Sequence, residues 1–163
     1  MKLPNFTPFQ AVLWGGLAAA VLDIGAVFAY WATQGGTPAG ILQTIATSVM
    51  GPAAYEIGLA GTLLGLFLHV FVSYVFAVAY VAAANRAPIL ITRPILCGLA
   101  YGAIAKVVMG EVVVPLSRAT FGGGDPTLLQ SAISWFIHLV LFGLPIALAA
   151  SRIRREGSRP QEQ

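Results

Sequence analysis

Apolar residues fall into four long runs, about Gln10–Ala32, Leu59–Ala83, Ile95–Leu116 and Leu128–Ala150, separated by shorter stretches rich in Gly, Pro and polar residues. Each run is on the order of 20 residues or more, the length an α-helix needs to cross a hydrocarbon core of about 30 Å. No period-two alternation broken by turns is present, which excludes a transmembrane β-barrel. The pattern predicts an all-α, polytopic membrane protein with four transmembrane helices. Residues 1–151 form one transmembrane domain in this reading, and 152–163 a basic, polar cytoplasmic tail.

Small residues recur at helical spacing inside the runs, and each stripe carries an ionisable residue. Gly15, Ala19 and Asp23 follow one another in the first run, and Gly61, Gly65, His69 and Ser73 in the second. The third has Gly98, Gly102, Lys106 and Gly110, and the fourth the weaker series Ser131, Ser134 and His138. Small faces let helices approach closely in lipid, and an ionisable residue on such a face turns toward protein rather than acyl chains. Gly61, Gly65, Gly98 and Gly102 are therefore expected packing positions, within the chain or between copies.

The segments between the runs carry their own signals. Thr37-Pro38 is a cap followed by a first-position proline, Ile41, Leu42, Ile45 and Val49 share one side, and Gly51-Pro52 ends the segment. A short interfacial or partly re-entrant helix over the bundle mouth is expected there. Gly122-Gly123-Gly124 is a flexible turn before the cap Asp125-Pro126. Gly16-Leu17-Ala18 matches Gly98-Leu99-Ala100, and Phe67-Leu68-His69 matches Phe136-Ile137-His138. These matches suggest a parallel repeat of two helices about an axis normal to the membrane.

Composition sharpens the class. The chain of 163 residues is 58% hydrophobic and 9% charged, far below the charged fraction of roughly 25% in soluble domains. Its net charge of +3 does not point to nucleic acid, because the basic residues stand just outside the apolar runs. Lys2, Arg86, Arg93, Arg152, Arg154, Arg155 and Arg159 lie on one side, and only Arg118 on the other, which predicts cytoplasmic termini. The first run lacks a small-residue cleavage site and should be a retained span. Cys97 is the lone cysteine, so neither an internal disulfide nor a Cys/His metal pattern is expected.

At 1.5 Å per residue, Asp23 and Lys106 lie roughly 18–20 Å from the cytoplasmic ends of their helices, and His69 and His138 roughly 15 Å from the opposite ends. The four converge near the midplane, with Glu111 somewhat beyond Lys106. One reading is structural: Asp23 pairs with Lys106, and the histidines bond to Ser73, Tyr74, Ser134 or backbone carbonyls, fixing helix partners. A second places one haem b between His69 and His138, with the Gly65 stripe making room for the porphyrin. A third is a proton-coupled carrier using Asp23, His69, Lys106 and His138, helped by a kink at Gly143-Leu144-Pro145. Hydrolytic catalysis finds no nucleophile elbow or HExxH helix, although Ser117, Ser131 and Glu56 lie near one surface. Glu111 is expected to seek Arg118. Trp14, Tyr30, Trp31, Tyr55, Tyr80, Tyr101 and Trp135 fit an interfacial aromatic belt.

Gly65-Leu66-Phe67-Leu68-His69, Tyr101-Gly102 with Met109, Val114-Pro115-Leu116-Ser117, and His138 with Gly143-Leu144-Pro145-Ile146-Ala147-Leu148 carry a resemblance. Together with Asp23, Arg152 and Arg154, most of the chain resembles a family of small four-helix proteins of the bacterial inner membrane. That family has no assigned activity, so the resemblance implies topology and location but no chemistry. Lys106 and Glu111 do not match its pattern. The reading adopted from the sequence is a non-enzymatic accessory or scaffold protein, without a cofactor, that packs against itself or a larger membrane complex in the lipid bilayer. The alternatives are the proton-coupled transporter and the bis-histidine haem b carrier.

Overall fold

A computed structural model describes residues 5–120 and 126–153. Among them are four helices long and apolar enough to cross a membrane: span 1 (Pro8–Ala32), span 2 (Leu59–Ala84), span 3 (Pro94–Leu116) and span 4 (Leu128–Ala150). The fold is all-α and membrane-spanning. Spans 1 and 4 begin alike. The hydroxyls of Thr7 and Thr127 accept from the backbone N–H of Gln10 and Gln130, whose side chains accept from the threonine N–H in return. Each reciprocal pair satisfies donors that a helix start leaves free. Gly58, at φ +54, turns the chain into span 2 with a backbone conformation that a side chain would strain.

Both ends of the described chain meet on one side, here the terminal side. The Phe6 N–H donates to the Arg152 carbonyl at 2.7 Å, and the Arg152 guanidinium sits 5.4 Å from the centre of the Phe6 ring. The opposite, loop side carries the helix Pro38–Met50 and a 3-10 turn, Gly51–Tyr55.

Span 1 is packed between spans 2 and 4, and span 3 rests on span 4. Small residues make these contacts. Gly16 lies against Tyr74 and Ala77 of span 2, while Gly15 lies against Ile146 and Ala149 of span 4. Gly98 and Gly102 meet Gly143, with Gly102 also against the His138 carbonyl. A methyl group at Gly102 or Gly143 would run into the facing backbone. The core is correspondingly rich in alanine, with Ala11, Ala19, Ala77, Ala105, Ala147 and Ala150 around Tyr80, Phe142 and Ile146. In lipid, where apolar surface gains little by leaving its solvent, such close contact is what holds helices together.

Spans 2 and 3 are joined by aromatic residues. The Tyr101 hydroxyl donates to the Phe76 carbonyl at 2.7 Å, and the Tyr80 hydroxyl to the Leu90 carbonyl at 2.9 Å. The two tyrosine rings meet edge to face at 4.9 Å, and Phe76 meets Phe142 at 5.5 Å. Tyr80 is 1% exposed. It and Tyr101 therefore leave the expected interfacial belt: their polar tips find carbonyls inside the protein, which a belt position would not require. Trp14, Trp31, Tyr55 and Trp135 are exposed.

The helix Pro38–Met50 lies on the first turns of span 2. Gly65 sits beneath the Leu42 carbonyl and Gly61 beneath the Ala54 carbonyl, and the Gln43 amide donates to the Gly58 carbonyl at 3.0 Å. Its buried Thr47 accepts from the Thr120 N–H at 2.9 Å, and Ser48 accepts from the Arg118 N–H at 2.9 Å. One helix thus ties the two loop-side connections together. Gly65 is occupied by this helix, Gly61 by the 3-10 turn that follows it, and Gly98 and Gly102 by span 4.

Spans 3 and 4 are not α-helical throughout. Met109–Val113 and Ile137–Gly143 are π-helical, and the Val114 and Leu144 N–H groups reach back five residues, to Met109 and Leu139. Each wide segment ends two residues before a proline, Pro115 and Pro145. Proline lacks an N–H and crowds the carbonyl four residues back, and a wider turn relieves both problems. The kink expected at Gly143-Leu144-Pro145 takes this form. The turn Gly122-Gly123-Gly124 with Asp125, together with Lys2, Arg154, Arg155, Arg159 and the rest of the tail, lies outside the described residues.

Candidate functional site: a polar centre across the spans

Asp23, His69, Lys106 and His138 each stand nine or ten residues from the loop-side end of their span. That places their backbones about 15 Å from those ends, one level across four helices. The side chains differ in what they meet. Asp23 is buried, at 9% exposure, while His69, Lys106 and His138 are half-buried.

His69 crosses to span 1 and donates from Nε2 to the Ala20 carbonyl at 2.9 Å. His138 stays on its own helix and donates from Nδ1 to the Ser134 carbonyl at 2.8 Å. Carbonyl oxygens only accept, so these bonds set which nitrogen carries the proton in each neutral ring. Nδ1 of His69 and Nε2 of His138 are the nitrogens left over. Ser73, fully buried one turn below His69, donates to the His69 carbonyl at 2.8 Å.

The Asp23 carboxyl lies within electrostatic reach of both imidazoles. Its Oδ1 is buried and has no hydrogen-bond partner among the described residues. Buried polar atoms are nearly always paired, so an orphan oxygen here singles out the position. The expected Asp23–Lys106 ion pair is not formed. The lysine instead extends along span 3 toward the loop side, its Nζ 3.7 Å from where a Cβ on Gly110 would stand. Lys106 lines a cleft of about 160 Å³ with Gln130, Ser131, Ser134 and Trp135 of span 4. Its charge still reaches His138. Glu111 is exposed on the wide turn of span 3, apart from the other four, and Arg118 is exposed as well. No ion pair joins Glu111 to Arg118.

Sequence reasoning placed the histidines and Asp23 at one depth but missed three participants. The Ala20 carbonyl has no side-chain signal. Pro115 was as visible as Pro145, and its two-residue offset from a wide turn is the same. Gln130 was legible as the third residue after the cap Thr127, the spacing of a capping box.

A haem b between His69 and His138 does not fit this arrangement. Nε2 of His69 is directed at Ala20, and the stripes that would make room for a porphyrin are closed by Leu42 over Gly65 and by His138 over Gly102. Among the described residues no group of three or more His, Cys, Asp or Glu side chains is placed to hold a metal ion. Ser117 is engaged in a turn, donating to the Val114 carbonyl at 2.8 Å and accepting from the Ala119 N–H at 3.1 Å. The polar centre thus comprises one carboxyl and two imidazoles, each ring pinned by one nitrogen. No protein-family model, curated protein or solved structure matches the chain.

Proposed function

We propose that the protein is a small proton-linked carrier in which Asp23, His69 and His138 take up and release the proton. The observation that carries this reading is the buried Asp23 Oδ1, without a hydrogen-bond partner among the described residues and within electrostatic reach of histidines on two other spans. A carboxyl at mid-membrane depth is costly and is usually retained for ion or proton movement. The π-helical segment that contains His138 adds support, since such irregularities are concentrated at functional sites. Location and orientation follow the sequence: a bacterial cytoplasmic membrane, with Arg86 and Arg93 on the cytoplasmic side and the Pro38–Met50 helix on the other.

The test is proton flux into proteoliposomes under an imposed gradient, read with a trapped pH dye. The wild-type protein is expected to conduct above protein-free vesicles, while Asp23→Asn and His138→Ala fall to the vesicle baseline. Equal flux from wild type and Asp23→Asn defeats the proposal.

An accessory or scaffold subunit is the second reading. Its glycine stripes are occupied within the chain, which removes the original argument for it. Span 3 supplies another: it is the least buried of the four spans, packed mainly on span 4 and touching span 2 through Tyr101, which leaves a broad face for a second copy or a larger complex. Purification in mild detergent separates the two readings, because a scaffold should carry a stoichiometric partner or form a defined oligomer.

A further inference from the structure

The cleft between spans 3 and 4 is lined by hydrogen-bond donors. Lys106 contributes an ammonium that has no acidic partner among the described residues, and an ammonium can only donate. Gln130 is oriented by the start of span 4: its Oε1 accepts from the Thr127 N–H at 2.8 Å, which turns its amide NH₂ away as a donor. Ser131 and Ser134 add hydroxyls, and Trp135 closes one wall. The volume, about 160 Å³, suits a group of a few heavy atoms rather than a large organic ligand. Asp125, the acid nearest in sequence to Pro126 on the cleft's rim, lies outside the described residues.

Depth narrows the chemistry. Lys106 reaches up to the level of Gly110, about 9 Å below the end of span 3 at 1.5 Å per residue, whereas Gln130 and Ser131 are about 3–5 Å below the start of span 4. The donors therefore lie at and just under the level of lipid headgroups on the loop side. The start of a helix adds its own partial positive charge there. A cation on a long stem with a fixed amide and hydroxyls beside it matches the way proteins grip phosphate oxygens.

We infer that this cleft binds a tetrahedral oxyanion, a phosphate held by Lys106, Gln130, Ser131 and Ser134, presented by an anionic lipid headgroup or as free inorganic phosphate. The site does not depend on the proton-carrier reading, since it can be occupied whether or not Asp23 moves protons.

The experiment uses the full chain with Trp14→Phe and Trp31→Phe, so that Trp135 alone reports. The protein is held in dodecyl maltoside, a detergent without phosphate. One arm titrates inorganic phosphate and the other titrates phosphatidylglycerol into the micelles. A saturable change in Trp135 emission is expected in at least one arm, and the responding arm identifies the source. Lys106→Gln should weaken that response at least about tenfold, while Lys106→Arg keeps it. Gln130→Glu preserves the acceptor that caps span 4 but replaces the NH₂ donor with a negative charge. It should abolish binding with helix content unchanged, which guards against a misfolded Lys106→Gln. No saturable response to either titrant, or parent-like affinity in a folded Gln130→Glu protein, overturns the inference.

Discussion

The ring of His69 bridges two spans, donating from Nε2 to the carbonyl of Ala20 at 2.9 Å. His138 makes the opposite choice and donates from Nδ1 to Ser134 within its own helix. The two rings are thus held as different tautomers, each with one nitrogen uncommitted. The carboxyl of Asp23 is in reach of both and is itself incompletely bonded. A purely structural polar centre would be expected to close these loose ends, because an unmade hydrogen bond in a low-dielectric interior is costly. That argues for groups kept available to a proton.

Replacing His69 by Leu should separate the two roles. The interhelical bond to Ala20 is one of a class worth about 0.6 kcal/mol on average in membrane proteins. A small loss in unfolding free energy, read by steric trapping in bicelles, is therefore expected together with loss of proton flux. A severe loss of stability with flux per folded molecule unchanged would make His69 a strut.

The glycines provide a packing test. A methyl group at Gly102 meets the His138 carbonyl and Leu139 on the neighbouring backbone, with no flexible side chain to yield. Gly102→Ala should cost about 1–3 kcal/mol, the usual range for overpacking. Gly25, also in a span, has open space around its Cβ position. Gly25→Ala should be neutral or stabilise by up to about 1 kcal/mol through helix propensity. Thermal melts in detergent would check both, and similar melts for the two variants would refute the close approach of spans 3 and 4.

The architecture was legible because lipid imposes length and polarity on a span so strongly. Span boundaries follow the apolar runs to within two residues, and the helix after Thr37 begins at its predicted cap. The destinations of the small faces were not legible. Gly61 and Gly65 look like a helix-dimer stripe, yet they admit the backbone of Ala54 and Leu42 from the connection before span 2, and no local pattern distinguishes these partners. Tyr80 and Tyr101 read as interfacial from their place near span ends. Their burial depends on carbonyls of Leu90 and Phe76 that only the folded chain brings near. Depth could be counted from the sequence, whereas the direction of a lysine stem could not, so Lys106 leaves Asp23 for the cleft.

Tyr101→Phe tests the aromatic joint between spans 2 and 3. The ring contacts remain and only the bond to the Phe76 carbonyl is lost, so about 1 kcal/mol of stability should go. Tyr101→Ala removes the ring contacts to Tyr80 and Phe76 too, and should cost about 3–5 kcal/mol, as large-to-small aromatic changes do. Chemical denaturation in mixed micelles would measure the two, and equal costs would mean that the ring packing contributes nothing.

Thr47→Val examines the tie between the two loop-side connections. The change is close in shape and deletes the acceptor for the Thr120 N–H. Hydrogen exchange should speed up at Thr120 by about fivefold, given a net bond worth about 1 kcal/mol, with span amides unaffected. Unchanged protection at Thr120 would show that the Arg118–Ser48 bond holds the connection alone.

Pro145→Ala asks what sets the π-helical turn carrying His138. Alanine restores the missing N–H and removes the ring that crowds the carbonyl of residue 141, so ordinary α-helical closure becomes available. Losing the extra residue of a π turn rotates what precedes it by roughly 100° about the helix axis, since 3.6 residues complete a turn. His138 would then swing away from Asp23. The expected outcome is a melting temperature equal to or above wild type, combined with lost proton flux and an altered imidazole nitrogen spectrum. If flux and spectrum both survive, the turn is held by Gly143 against Gly98 and Gly102, where the two backbones already touch, and the proline only follows a shape that packing imposes.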